Sequence, residues 1–345
     1  MTFSQFALKV LPKSKRNRIF AILFLVFLVA IGIGGYWWIK TQMGQQVSPL
    51  TAETVKAGVP RYLYTIDGKS EPTDAINSAK GLMGPLAVTV SSDRVFVADT
   101  GRSQVQVYSR DGEWISTWGK GKLNYPFAMT FNDSRLYVAD PNLMEIFVFD
   151  DRGNLQKSLL NKQRLQLTSG KQGEIIRPTA VQVGADNLIY VSDVGNQVVL
   201  VMDSNGKVLR YFGGSGTVEG KFQYPNALYV GKNGKVYVSD SNNGRIQIFD
   251  QNGQFLYMIN GSQGKSGPLA LPRGLAVTDS GIIFVVDVFS HSLRAYDEAG
   301  FEIWSFGGNG NDHGRFNFPN GLSLDSDGRI YVTDRENNRV EVFGY

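Results

Sequence analysis

An aspartate that closes a short apolar run recurs six times along this chain. The runs are VFVAD at 95–99, LYVAD at 136–140, IYVSD at 189–193, VYVSD at 236–240, FVVD at 284–287 and IYVTD at 330–334. Successive aspartates (Asp99, Asp140, Asp193, Asp240, Asp287 and Asp334) are 41, 53, 47, 47 and 47 residues apart. A proline stands 14 or 15 residues before each: Pro85, Pro126, Pro178, Pro225, Pro272 and Pro319. Two independent markers that keep one register exclude chance alternation and imply a tandem array of one structural unit.

Each unit reads as four strands. In the fourth these are ALYV at 227–230, VYVSD at 236–240, IQIFD at 246–250 and QFLYMI at 254–259, separated by GKNGK, SNNGR and QNG. The connectors carry turn chemistry, and the alternation of apolar and polar residues marks half-buried strands. Six four-stranded units of this length predict an all-β chain, a six-bladed β-propeller of four-stranded antiparallel blades. The sixth unit stops at Tyr345 without a fourth strand, whereas YLYTIDG at 62–68 matches FLYMING at 255–261. Residues 61–66 are therefore expected to complete the last blade, removing an open edge. The propeller is placed at 61–345.

The units resemble NHL repeats. PNALYVGKNGKVYVSDSNNGRIQIFDQNGQFLYMI and PNGLSLDSDGRIYVTDRENNRVEVFG are near full-length matches, while the second and third units diverge and the third carries an insertion around 160–175. The resemblance covers about 285 residues. It implies the fold and leaves function open, because NHL propellers bind proteins or RNA and, less often, catalyse reactions.

Residues 19–39, IFAILFLVFLVAIGIGGYWWI, carry no charge, and the six bases of residues 1–40 face no acid there. As a helix this run would be about 31 Å long, near the hydrocarbon thickness of a bilayer. It is too long, and ends in residues too bulky, for a cleaved signal peptide. The expectation is a membrane-anchored bacterial type of NHL protein: a cytoplasmic basic tail at 1–18, a transmembrane helix at 19–39, a linker at 40–60 and an extracytoplasmic propeller. The remaining 305 residues carry 29 bases and 31 acids, which argues against a nucleic-acid partner.

Cysteine is absent and only His291 and His313 are present, so thiol catalysis, iron–sulfur clusters and a three-histidine metal centre within the chain are excluded. The residues after the six prolines, Leu86, Phe127, Thr179, Asn226, Arg273 and Asn320, should sit at the mouth of the axial channel. Arg273 could hold a carboxylate or phosphate by its fork of donors, or satisfy buried carbonyls around the axis. His291 and His313 fall on predicted loops of adjacent units, with Asp312 and Glu336 as acidic neighbours. Phe127, Thr179, Asn226, Arg273, Asn320, His291 and His313 are the candidate ligand-binding residues. No catalytic residue, metal ligand or cofactor is assigned. The repeated aspartates read as structural, pairing with arginines five residues on at Arg245 and Arg339 and capping backbone elsewhere, with Asn242 and Asn338 bonded to their own turns. The functional expectation is a tethered scaffold, more an interaction module than an enzyme, recognising a protein, peptide or envelope polymer. The alternative is a divalent-metal-dependent hydrolase or lyase at the channel mouth.

Overall fold

The computed structural model describes residues 58–68, 81–167, 170 and 172–345. Six four-stranded antiparallel sheets follow one another and form the blades of a propeller. Blade 1 holds Ala87–Val90, Arg94–Asp99, Gln104–Ser109 and Trp114–Trp118; blade 4 holds Pro225–Val230, Val236–Asp240, Arg245–Phe249 and Phe255–Ile259. Blades 2, 3 and 5 repeat this order from Ala128, Pro178 and Pro272. In blade 6, Arg61–Ile66 lies outermost, antiparallel to Arg339–Gly344, with Arg61 opposite Gly344 and Ile66 opposite Val340. An extra hairpin, Arg164–Gln166 with Gln172–Ile175, precedes blade 3 and accounts for its longer repeat.

The core is six separate apolar clusters, one between each pair of neighbouring blades. Strand alternation supplies them. In Val236–Asp240, Val236 and Val238 pack toward blade 3, while Tyr237 packs toward blade 5. Ile189 and Val191 likewise face blade 2, and Tyr190 faces blade 4. The second strand of each blade is thus buried on both faces, and not half-buried as its pattern suggests. The outermost strands carry exposed apolar residues, among them Ile115, Leu209 and Leu256.

The joint between blades 6 and 1 has polar stitching as well. Arg110 of blade 1 pairs with Asp325 of blade 6 and donates to the Tyr331 hydroxyl at 3.1 Å, while Tyr64 donates to the Arg110 carbonyl.

The expected tail (1–18), span (19–39) and most of the linker (40–60) lie outside the described residues. Among the described residues no helix is long and apolar enough to cross a membrane. The expectation of a propeller preceded by a transmembrane helix is corrected accordingly. The single-pass topology, the membrane location, the bilayer partner and the membrane-anchored type lose their structural footing with it.

Candidate functional site at the channel mouth

Antiparallel order brings three things to one end of every blade: the start of the innermost strand, the aspartate ending the second, and the loop arriving from the preceding blade. The aspartates fasten that loop. Met83 N–H donates to Asp99 at 2.7 Å, Arg177 N–H to Asp193 at 2.9 Å, Gln223 N–H to Asp240 at 2.7 Å and Asn317 N–H to Asp334 at 2.6 Å. Asp140 and Asp287 each take two such donors. Arg245 and Arg339 complete Asp240 and Asp334 at 2.8 Å. The turn amides that reach these carboxylates are Asn243 and Asn337, while Asn338 accepts the Gly84 N–H at 2.8 Å, not one of its own turn. Burial pushes Asp99, Asp193 and Asp334 above the usual aspartate range, and the backbone donors oppose that shift.

The innermost strands enclose an axial cavity of about 250 Å³ lined by all six blades. The residues following the prolines border it, with different partners. Thr179 spends its hydroxyl on the Pro225 carbonyl at 2.9 Å. Asn320 donates to the Leu86 carbonyl at 2.7 Å and accepts Arg273 Nη1 at 2.9 Å. Phe127, on the blade opposite, presents its ring 5.9 Å from the Arg273 guanidinium. Asn226 is only 9% exposed, yet its amide makes no hydrogen bond among the described residues.

Arg273 is unusual among these. Its Nε is buried without an acceptor, and it has no carboxylate partner among the described residues. Nor does it serve the axial carbonyls; its hydrogen bond is to the Asn320 side chain. Burial and repulsion from Arg335 push it below the ordinary arginine value, but a guanidinium stays charged at neutral pH. Arg335 itself pairs with Glu336 at 3.3 Å. An orphan donor of this kind costs about 1–3 kcal/mol. Close contact between blades 5 and 6 keeps the guanidinium in place: a Cβ on Gly274 would stand 2.6 Å from the Asn320 carbonyl oxygen, so only glycine fits beside Arg273.

Sequence reasoning missed two exposed aromatics that precede these prolines. Tyr224 (φ 57°) and Phe318 (φ 52°) precede Pro225 and Pro319 in the left-handed region, and Gly84 holds the same position on blade 1 with φ 56°. A bulky residue there carries about 1–3 kcal/mol of strain. The Tyr224 N–H is taken by Gln197 Oε1 at 2.6 Å and the Phe318 N–H by His291 Nδ1 at 3.1 Å. Tyr224 is 53% and Phe318 38% exposed. The available signal was an aromatic immediately before the proline at Tyr125, Tyr224 and Phe318.

The two histidines take separate partners. His291 braces Phe318, ring to ring at 4.9 Å. His313 stacks on Tyr62 at 4.0 Å and bonds Glu341 at 3.1 Å. Asp312 uses its carbonyl for Arg315 and Arg339, and Glu336 pairs with Arg335. No group of three His, Asp or Glu that could hold a metal occurs among the described residues.

The NHL repeat matches residues 82–108, 222–249 and 316–343, within blades 1, 4 and 6. No curated protein matches the chain. Among solved structures, a streptogramin B lyase is similar with TM-score 0.56 and 10% identity, over 83% of this chain and 96% of that one. A catalytically inactive virginiamycin B lyase from Staphylococcus aureus with quinupristin gives 0.53 and 13% over 83% and 87%. The hydrazine synthase of Kuenenia stuttgartiensis gives 0.54 and 12% over 76% and 96%. Identities this low concern the fold, which is shared with enzymes. The expected anchored, non-enzymatic scaffold is left without support: no span is found among the described residues, and the propellers that share the fold are lyases and a synthase. The NHL-type six-bladed propeller itself is supported by repeat and structure together.

Proposed function

We propose that this propeller is an enzyme of lyase or hydrolase type whose small-molecule substrate sets an anionic group in the mouth of the axial channel. The observation that carries the reading is Arg273, a cation without a carboxylate partner among the described residues, held on one nitrogen by Asn320 beside the axial cavity. Enclosed clefts with a few convergent polar groups are the usual ligand sites. In such a low-dielectric place a guanidinium stabilises a bound carboxylate, or the negative charge that develops on oxygen during elimination or acyl transfer. Asn226, buried and without a hydrogen-bond partner among the described residues, supplies a second polar group on the neighbouring blade. The fold shared with streptogramin B and virginiamycin B lyases supports the reaction class by analogy of architecture.

A divalent metal does not fit the residues of this mouth. Hard cations need several oxygen ligands, carboxylates foremost, and the mouth offers amides, one hydroxyl already engaged and a fixed positive charge. No step is routed through a metal.

The test is turnover. The full chain is incubated with small carboxylate esters, lactones and cyclic depsipeptides, and products are followed by mass spectrometry. Conversion of an anionic member, reduced about 10²–10³-fold in Arg273→Met, supports the proposal. No conversion across the set, or equal rates in Arg273→Met, overturns it.

A further inference from the structure

We infer that the part of the substrate beyond its anionic group is a polyhydroxylated carbon chain, lying along the axis against a ring of hydroxyl and amide side chains. The inference rests on the channel-mouth reading above and deepens it by naming what the wall below Arg273 recognises.

The ring lies further along the innermost strands. Thr89, Thr130, Gln182, Tyr229, Ala276 and Ser323 each stand opposite the aromatic residue in the second strand of their blade. They therefore share one level around the axis, and all six line the cavity. From Asn226 at the mouth to Tyr229 at this level is about 10 Å of strand. Among the described residues the hydroxyls of Thr130 and Ser323 and the amide of Gln182 have no hydrogen-bond partner, yet none is sealed from solvent. Thr89 accepts the Phe131 N–H at 3.4 Å and keeps its own proton to donate. The amide of Asn226 is open in the same way at the upper level. The fold does not require this polarity, because blade 5 places the buried Ala276 at the same level.

The chemistry of this wall selects its ligand. Among the described residues Arg273 is the one charged side chain lining the cavity, so a cation is repelled and a second anion finds no base. The innermost strand of each blade pairs on one side only, so peptide groups of its free edge also face the axis. An apolar chain would strip water from these groups and leave donors and acceptors unmet. A chain of alcohol groups replaces that water, because each hydroxyl both donates and accepts, as the threonine, serine and amide groups of the wall do.

The test is calorimetric titration of the full chain with galactonate, galactitol and hexanoate, chains of equal length that carry both features, the hydroxyls alone and the carboxylate alone. Galactonate is expected to bind at least about tenfold more tightly than hexanoate. The double variant Thr130→Val, Ser323→Ala should lose about tenfold for galactonate, with hexanoate affinity and the melting temperature unchanged. Gln182→Leu should weaken galactonate severalfold in the same selective way. Hexanoate binding as tightly as galactonate, equal galactonate affinity in the double variant, or no binding of any of the three overturns the inference. The two readings fail separately. Galactitol matching galactonate, unchanged in Arg273→Met but weakened by the double variant, would uphold the hydroxylated chain and count against the anionic group. Hexanoate matching galactonate, with both lost in Arg273→Met, would do the reverse.

Discussion

Arg273 is placed by the residues on either side of it. Pro272 sets the entry of the innermost strand, and Gly274 lets that strand close on blade 6 so that Nη1 reaches Asn320. Gly274→Ala is expected to destabilise the protein by about 1–3 kcal/mol, read from urea unfolding, since the added methyl meets backbone and not a movable side chain. The repeated aspartates act in the same local way. Asp240→Ala would strand Arg245 and the Gln223 N–H in the interior, an expected loss of about 3–5 kcal/mol by the same measurement. Much of this was legible from residue order: six copies of one aspartate argue for scaffolding, and the position after each proline pointed to Arg273. What stayed hidden was backbone handedness. Nothing in the letters before Pro85, Pro225 and Pro319 shows that Gly84, Tyr224 and Phe318 share one left-handed geometry, because it is imposed by the preceding blade. The amide of Asn243 on Asp240 stayed hidden for a related reason, since which amide turns inward depends on the turn and not on composition.

Strands carry the stability. Phe96, Tyr137, Tyr190, Tyr237, Phe284 and Tyr331 stand at equivalent positions of the second strands, each buried against the next blade. Tyr237→Ala should cost about 3–5 kcal/mol in equilibrium unfolding, against little for the exposed Leu256 on the outermost strand of the same blade. The alternating pattern identified these strands, but it could not show that both faces are covered; that follows from blades on both sides. Glu341, in the third strand of blade 6, offers a pH test. Burial raises its carboxyl above 4.5, with the Gly314 N–H and Arg339 opposing. A folded-state value above the unfolded one means the native protein holds the proton more tightly. The stabilisation is then complete below about pH 4.5 and is lost as pH rises through the folded value. Thermal melts across this acid range should show a shallower decline in Glu341→Gln than in the parent, the remainder coming from Asp99, Asp193 and Asp334; parallel curves would refute it.

At the scale of the whole molecule, each blade depends on two neighbours. Removing Arg61–Ile66 would bare the edge of Arg339–Gly344 and uncover Tyr331, Val340 and Val342. The shortened protein is expected to melt at lower temperature and to self-associate in size-exclusion chromatography; an unchanged monomeric transition would contradict this. Architecture at this scale was readable because markers repeat at nearly constant intervals, and the one long interval matches the hairpin before blade 3. Function was less so: hydropathy at 19–39 drew the reading toward a tethered scaffold, whereas the axial site depends on residues from different blades, far apart in sequence. The antiparallel pairing of Arg61–Ile66 with the last strand also determines how the molecule comes apart. An open stack of repeats can fray one unit at a time from either end, but here each blade is wedged between two others. Loss should therefore start at a single seam and run round the whole circle together. Amide exchange would be fastest at Arg61–Ile66 and nearly uniform elsewhere in the blades.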